Sequence, residues 1–477
     1  MVFTSFNFLV FFPALAILYF LTPARHRWAT LLIGSYFFYI NTKPVYALLL
    51  AGVSLSTYFF TRLIDRASAE STKKAYMIIN IVLILMPLFF FKYFGVVNDG
   101  ISALLQRLNI NWPLPHIEMM LPVGISFYTF MAIGYTIDVY NEEIAAEKNI
   151  GKVALFISFF PLILSGPIER AKNMLPQFRM QTKLDFTLVG QGLKMMLWGY
   201  FMKLVVADRL GIYIDSLYQS ISQHNGTSLL FASLLYPFQV YADLGGYSLI
   251  AIGAALIMGF RVMQNFRRPF FATSMAELWR RWHISLISWL TDYVYTPLAF
   301  SFRKYKVLGI VIALMITFFI SGMWHDATLP YLVWGFMQGV FLSIEAVIKS
   351  KKPTGKKSNF TGKAWYILLN CLLTFVLFSA SQIFARATNI NDALLVYSKI
   401  FSSSGPLYIG PPSILIFGFM GIVMMLLKDF TDEFRPSEFL LFENKRMVVR
   451  VLAYSVILLL ILLIGVFDGG QFIYFKF

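Results

Sequence analysis

Two histidines carry the chemistry this sequence offers: His283 in Arg-Arg-Trp-His and His325 in Gly-Met-Trp-His. Both lie between Asn265 and Gly339. That stretch also holds Trp279, Trp282, Trp289, Trp324 and Trp334, five of the nine tryptophans, and the arginines Arg267, Arg268, Arg280 and Arg281. His325 follows the uninterrupted apolar run Val307–Ile320 and precedes Asp326, with Pro330 opening the next run. An imidazole at the end of a membrane helix, beside a break, has few structural uses. Near neutral pH it can take a proton from a hydroxyl and return it to a leaving group. His283 admits two readings, a histidine bonded across a helix bundle or a group that helps catalysis or positions substrate. No His-x-His, His-x-x-x-His or cysteine spacing supports a metal site. No Gly-x-Ser-x-Gly elbow accompanies the histidines, which argues against a serine hydrolase.

The elements around these residues set further expectations. If 277–290 is one helix, Trp279, His283, Leu286 and Leu290 share a face. Glu277 then stands four residues before Arg281, the favourable order for an ion pair, which leaves Arg280 to meet an anion. Trp279, Trp282 and Trp289 suit a membrane interface, where the ring is apolar and the N–H is wet. Upstream, Asp243 and the pair Gly245-Gly246 interrupt the long apolar run Leu229–Phe260. A carboxylate there is costly, so Asp243 has either a hydrogen-bonding partner or a place in a functional cavity. The glycine pair permits a break or a close helix crossing. Lys194, Lys203 and Trp198 make Leu188–Val206 look amphipathic. Gly166-Pro167 stops a short span, placing Glu169 and Arg170 at the membrane edge as an interfacial pair or a cavity lining.

Composition places all of this in a membrane. The chain has 477 residues, 58% hydrophobic and 13% charged, with a mean hydropathy of +0.68. Soluble domains are about a quarter charged. Apolar runs of roughly 18 residues or more recur from end to end, and they are continuous rather than alternating, which predicts helices and not a barrel. The expectation is an all-α polytopic membrane protein of about 11–13 membrane helices at about 20 residues per span. The net charge of +16 lies between spans, as retained cytoplasmic loops require, and does not call for nucleic acid. The lysine-rich stretch 349–363 is the strongest cytoplasmic marker. Residues 391–401, with Leu394, Leu395, Ile400 and Phe401 at helical spacing, predict a helix lying in the interface. The single cysteine, Cys371, cannot form an internal disulfide. The first apolar run, about Phe6–Leu21, reads as a retained span because Thr22-Pro23-Ala24-Arg25 is no cleavage site. His26, His116 and His224 read as surface histidines.

Several motifs together resemble the membrane-bound O-acyltransferase superfamily, in its bacterial alginate O-acetyltransferase-like branch. They are LPVGISFYTF at 121–130, SGPIER at 165–170, LPQF at 175–178, NFRRPF at 265–270, ELWRRWHISLISWL at 277–290, DYVYTPL at 292–298, SGMWHDA at 321–327, WGF at 334–336 and FIYFKF at 472–477. The resemblance implies a single membrane domain over 1–477, with a catalytic core at about 120–345, C-terminal helices at about 364–477, and helices ringed around a tunnel. It implies that His325 is the catalytic base and His283 a second functional position. The acyl donor, acetyl-CoA, is a substrate, and no permanently bound cofactor or metal is expected. Arg267, Arg268, Arg280 and Arg281 are candidates to meet its phosphates; Trp324, Asp326, Asp243, Trp282 and Gln338 are tunnel candidates. A tunnel would let a cytoplasmic donor reach His325 even though a simple hairpin places that residue toward the outer side. The implied activity is acetyl transfer to hydroxyls of an exported polysaccharide, or to a periplasmic SGNH-like acetyltransferase partner, in a bacterial inner membrane. D-alanyl transfer from a carrier protein to a wall polymer, peptidoglycan O-acetylation and a non-enzymatic transporter stay open. The chain departs from the family pattern at Asp326, where glycine is usual, at Gln338, where histidine is usual, and at Leu249, where an acid is usual.

Overall fold

The computed structural model describes residues 1–41, 43–110, 121–164, 166–351, 363–434, 442 and 444–467. His116, Ser165, most of the lysine-rich stretch and the tail at 472–477 lie outside the described residues. In chain order the helices are α1 (Phe6–Leu21), α2 (Arg27–Ile40), α3 (Pro44–Arg66), α4 (Glu70–Arg107), α5 (Ile125–Tyr140), α6 (Ile150–Ser158), α7 (Phe160–Ile163), α8 (Ala171–Gln177) and α9 (Phe186–Tyr200). Then follow α10 (Asp208–Tyr218), α11 (Gly226–Ile257), α12 (Met275–Arg281), α13 (Ile284–Leu290), α14 (Thr296–Ser301), α15 (Val307–His325) and α16 (Leu329–Lys351). The last are α17 (Ala364–Arg386), α18 (Ile390–Ser402), α19 (Pro412–Phe434) and α20 (Met447–Ile464).

Eight of these helices are long and apolar enough to cross a membrane, and α1 is a shorter apolar one. The chain is therefore an all-helical, multi-pass membrane protein. The other apolar runs form shorter or broken helices, so a rule of about 20 residues per span gives a higher number than length alone does. Exposed leucines such as Leu308, Leu368 and Leu463 on the long helices suit lipid, because within it the helical backbone is already satisfied and only side chains meet the tails.

The described chain divides into two compact units, one of Met1–Leu193 with Ala251–Met263, the other of Lys194–Ile250 with Gln264–Phe477. In the first, a phenylalanine cluster of Phe3, Phe8, Phe12, Phe38 and Phe160 packs α1 on α2 and α7. Asn80 ties three helices: its amide donates to Thr136 of α5 at 2.8 Å and its carbonyl accepts from Ser56 of α3 at 2.7 Å. Glu169 is buried there, bonded to Asn173 at 2.9 Å and to the backbone N–H of Met263. It anchors a loop, and is not an exposed interfacial anchor.

The second unit carries both histidines. Here α11 runs unbroken through Gly245 and Gly246, so the pair serves a crossing and not a break. A methyl on Gly246 would fall 2.7 Å from the carbonyl of Gly199, and one on Gly199 would fall 2.6 Å from that of Gly246. Helix α9 continues into a π-helical turn at Phe201–Ala207. That turn buries Lys203, correcting the amphipathic expectation: the lysine faces protein, not water or headgroups. The segment expected to be helical forms α18, which buries Ala393 and Val396 and exposes Leu394 and Phe401.

Candidate functional site

The position of His325 is fixed by a close crossing of α15 and α16. A methyl on Gly322 would fall 2.4 Å from the carbonyl oxygen of Tyr331, and one on Gly335 would fall 2.4 Å from that of Phe318. Only glycines permit this approach, and it brings the last residue of α15 against the first turns of α16. His325 is buried. Its ring stacks on Tyr331 (5.8 Å between centroids, 20°), meets Trp334 edge-on (5.1 Å, 88°) and abuts Trp324 (4.6 Å).

His283 does not sit on a continuous helix. Residues 277–290 break into α12 and α13, with Trp282 extended (φ −111°, ψ 128°) and His283 left-handed at φ 46°. The shared face expected from one helix is therefore absent. The cause is non-local: Asn265 and Arg267 bond the break. The Arg267 N–H donates to the Arg281 carbonyl and the Ile284 N–H to the Asn265 carbonyl, both at 2.8 Å. The Asn265 side-chain oxygen accepts from the Ser285 hydroxyl at 2.5 Å. These bonds replace the i→i−4 bonds lost at the kink and hold a strained non-glycine conformation, which the surroundings must over-determine to keep.

The two histidines line one cavity with Trp279, Trp282, Trp334, Tyr331, Tyr236, Leu286, Val240, Gln382 and Ala385. Its volume is about 30 Å³, roughly two waters' worth of room. Trp279 and Trp282 are buried in this wall, and Trp289 is buried too, which corrects the interfacial expectation: aromatic packing, with Trp279 edge-on to Trp334 at 5.9 Å and Trp282 on Phe378 at 4.9 Å, outweighs the pull of the interface. Gln338 stands one layer behind. Its carbonyl accepts from the Trp279 indole N–H (3.3 Å), its amide donates to Ser381 (2.7 Å), and Ser381 donates to the Phe378 carbonyl (2.6 Å).

The four arginines divide. Arg281 bonds Glu277 (2.7 Å) and Glu433 (3.0 Å), and Arg268 bonds Glu433 (3.0 Å). Arg267 and Arg280 are exposed. Asp243 is not among the cavity-lining residues; it pairs with the buried Lys203 at 2.7 Å, which also holds Asp208 at 2.6 Å. Asp326 is half-buried, and its carboxylate accepts from the Thr328 hydroxyl at 3.3 Å. Trp324 approaches both histidines, His283 at 6.3 Å. Sequence reasoning did not single out Tyr236, Tyr331, Trp334 or Gln382 as site residues, nor Glu433 as the arginines' partner. The Asp-Glu pair closing the apolar run of α19 was the available signal for the last.

Fold and site define a polytopic membrane protein with a buried two-histidine pocket. Residues 119–385 match MBOAT, the membrane-bound O-acyltransferase family, and the chain belongs to that family: it is an O-acyltransferase. It is 34% identical to the probable alginate O-acetylase AlgI of Pseudomonas aeruginosa over 408 residues, covering 84% of this chain and 75% of the relative. It is 30% identical to the peptidoglycan O-acetyltransferase of Helicobacter pylori over 404 residues, 79% of this chain and 74% of the relative. Similarity to the teichoic acid D-alanyltransferase of Streptococcus thermophilus is 27% over 328 residues, 65% of this chain and 75% of that protein.

Proposed function

We propose that this chain moves acetyl from cytoplasmic acetyl-CoA, across a bacterial inner membrane, to hydroxyls of an exported cell-surface polysaccharide or to a periplasmic partner acetyltransferase. The observation that carries the reading is the convergence of His325 and His283 on one small cavity. The higher identity and coverage of the relatives named for O-acetylation, against those named for D-alanylation, supports acetyl as the group.

In the proposed reaction the His325 imidazole takes the proton of the acceptor hydroxyl as its oxygen attacks the thioester carbonyl. The carbon–sulfur bond then breaks, and the thiolate leaves and recovers the proton from the imidazolium. General-base help of this kind is worth about 10²–10⁴-fold, and holding both reactants at one point supplies much of the remainder. His283, held at the α12–α13 break, positions substrate in the same cavity. Arg280, exposed just before it in sequence, and Arg267, exposed where its backbone bonds the same break, meet the donor's phosphates, while Arg268 and Arg281 hold α12 to the end of α19.

The test is the chemistry of the surface glycan in a deletion strain complemented with wild type or a folded His325→Ala. Ester-linked acetate should return with wild type alone. Return of D-alanine esters in its place, or equal restoration by both chains, would overturn the proposal.

A further inference from the structure

The cavity beside His325 is bounded by an indole that cannot move freely. Trp279 is buried, bonded through its N–H to Gln338 at 3.3 Å, and wedged by Trp334, Phe318 (5.1 Å) and Phe378 (6.1 Å). Gln338 is itself fixed, fully buried and bonded to Ser381 at 2.7 Å. An amide suits this place because it accepts from the indole with one end and donates to a hydroxyl with the other. An aromatic wall with its one polar atom tied has few ways to yield, since close-packed interiors transmit strain more readily than they expand. The room in front of it holds about two waters, so an acyl chain longer than acetyl that enters on this side must displace the wall.

We infer that Trp279, locked by Gln338, limits the transferred acyl group to two carbons, a specificity role that rests on the acetyl reading above. Trp279 touches the acyl group in this account; Gln338 is a positioning residue acting through it. A hydrophobic pocket discriminates by about 10–200-fold per methylene, so the limit is measurable.

Membranes from a deletion strain carrying the full chain, with its native glycan acceptor, would be given labelled acetyl-, propionyl- or butyryl-CoA. Base-labile label on the glycan gives kcat/KM for each donor. Wild type should favour acetyl over propionyl by at least about 10-fold. Trp279→Phe, which removes part of the wall and the tie, should raise the propionyl-to-acetyl ratio about 10-fold. Gln338→Leu should raise it in the same direction by a smaller factor, and it decides the matter if Trp279→Phe does not accumulate. An unchanged ratio in variants that still transfer acetyl overturns the inference, as does a wild type that accepts butyryl as readily as acetyl. A wild type that transfers none of the three overturns the acetyl reading itself, and the length limit falls with it.

Discussion

Gly335 offers a perturbation whose size follows from the coordinates. A methyl added there would fall 2.4 Å from the Phe318 carbonyl oxygen, where ordinary contact begins near 3.4 Å. The obstacle is backbone, so α15 and α16 must part by about 1 Å. Overpacking of this kind costs about 1–3 kcal/mol, which a membrane bundle can survive. The larger effect falls on geometry, because the crossing holds His325 against Tyr331 and Trp334. A 1 Å misplacement of a reacting group can cost about 100-fold in rate. Gly335→Ala should therefore lower acyl transfer per molecule by about that factor while the protein still accumulates in the membrane. Transfer of labelled acyl groups by membranes, normalised to the amount of chain by immunoblot, measures it. Gly52→Ala on α3 is the control: a methyl there meets nothing within 4 Å, and glycine-to-alanine in a helix interior gains up to about 1 kcal/mol. If Gly335→Ala works within a few-fold of wild type, the crossing does not place His325 and the site geometry derived above is wrong.

Other perturbations separate structural from chemical roles. Lys203→Met removes the cation shared by two buried carboxylates and should cost about 3–5 kcal/mol, read as a lower melting temperature in detergent; adding Asp208→Asn and Asp243→Asn should recover most of it. Arg280→Ala should raise the KM for donor with the melting temperature unchanged, whereas Arg281→Ala, which breaks bonds to Glu277 and Glu433, should lower the melting temperature. Glu147 lies in the polar link after α5. Burial pushes its carboxyl up, but the Asn149 N–H and the Arg179 guanidinium outweigh that and hold it below the ordinary carboxylate value. A depressed folded-state value stabilises above the unfolded one and is lost as pH falls through it. Glu147→Gln should thus be less stable than wild type at neutral pH, and the difference should shrink as pH falls below about 4 and through the depressed folded-state value.

What the sequence revealed and what it hid divide by range. His325 at the end of α15 was legible because an apolar run, a Gly-Met-Trp-His terminus and a following proline are all local signals. The Glu277–Arg281 pair was legible for the same reason. The break at Trp282–His283 was not, because local periodicity favours one helix and the bonds that stabilise the kink come from Asn265 and Arg267. Asp243 announced a need for a partner, but Lys203 lies a helix away and is turned inward by a π-helical turn that leaves no compositional mark. The arginine cluster was visible as charge; that Glu433 occupies half of it depends on a contact between α12 and α19. The cavity is a tertiary product: Tyr331 and Trp334 join it only through the Gly322–Gly335 crossing, and Gln382 only through the packing of α17.

Whether His325 takes the acceptor proton is tested most directly by steady-state kinetics of His325→Ala in membranes with labelled acetyl-CoA. The variant's kcat should be lower by about 10²–10⁴-fold with the KM for donor close to that of wild type, because the imidazole acts in the transition state and not in donor binding. A variant that turns over within a few-fold of wild type, or whose loss lies wholly in KM, would contradict it.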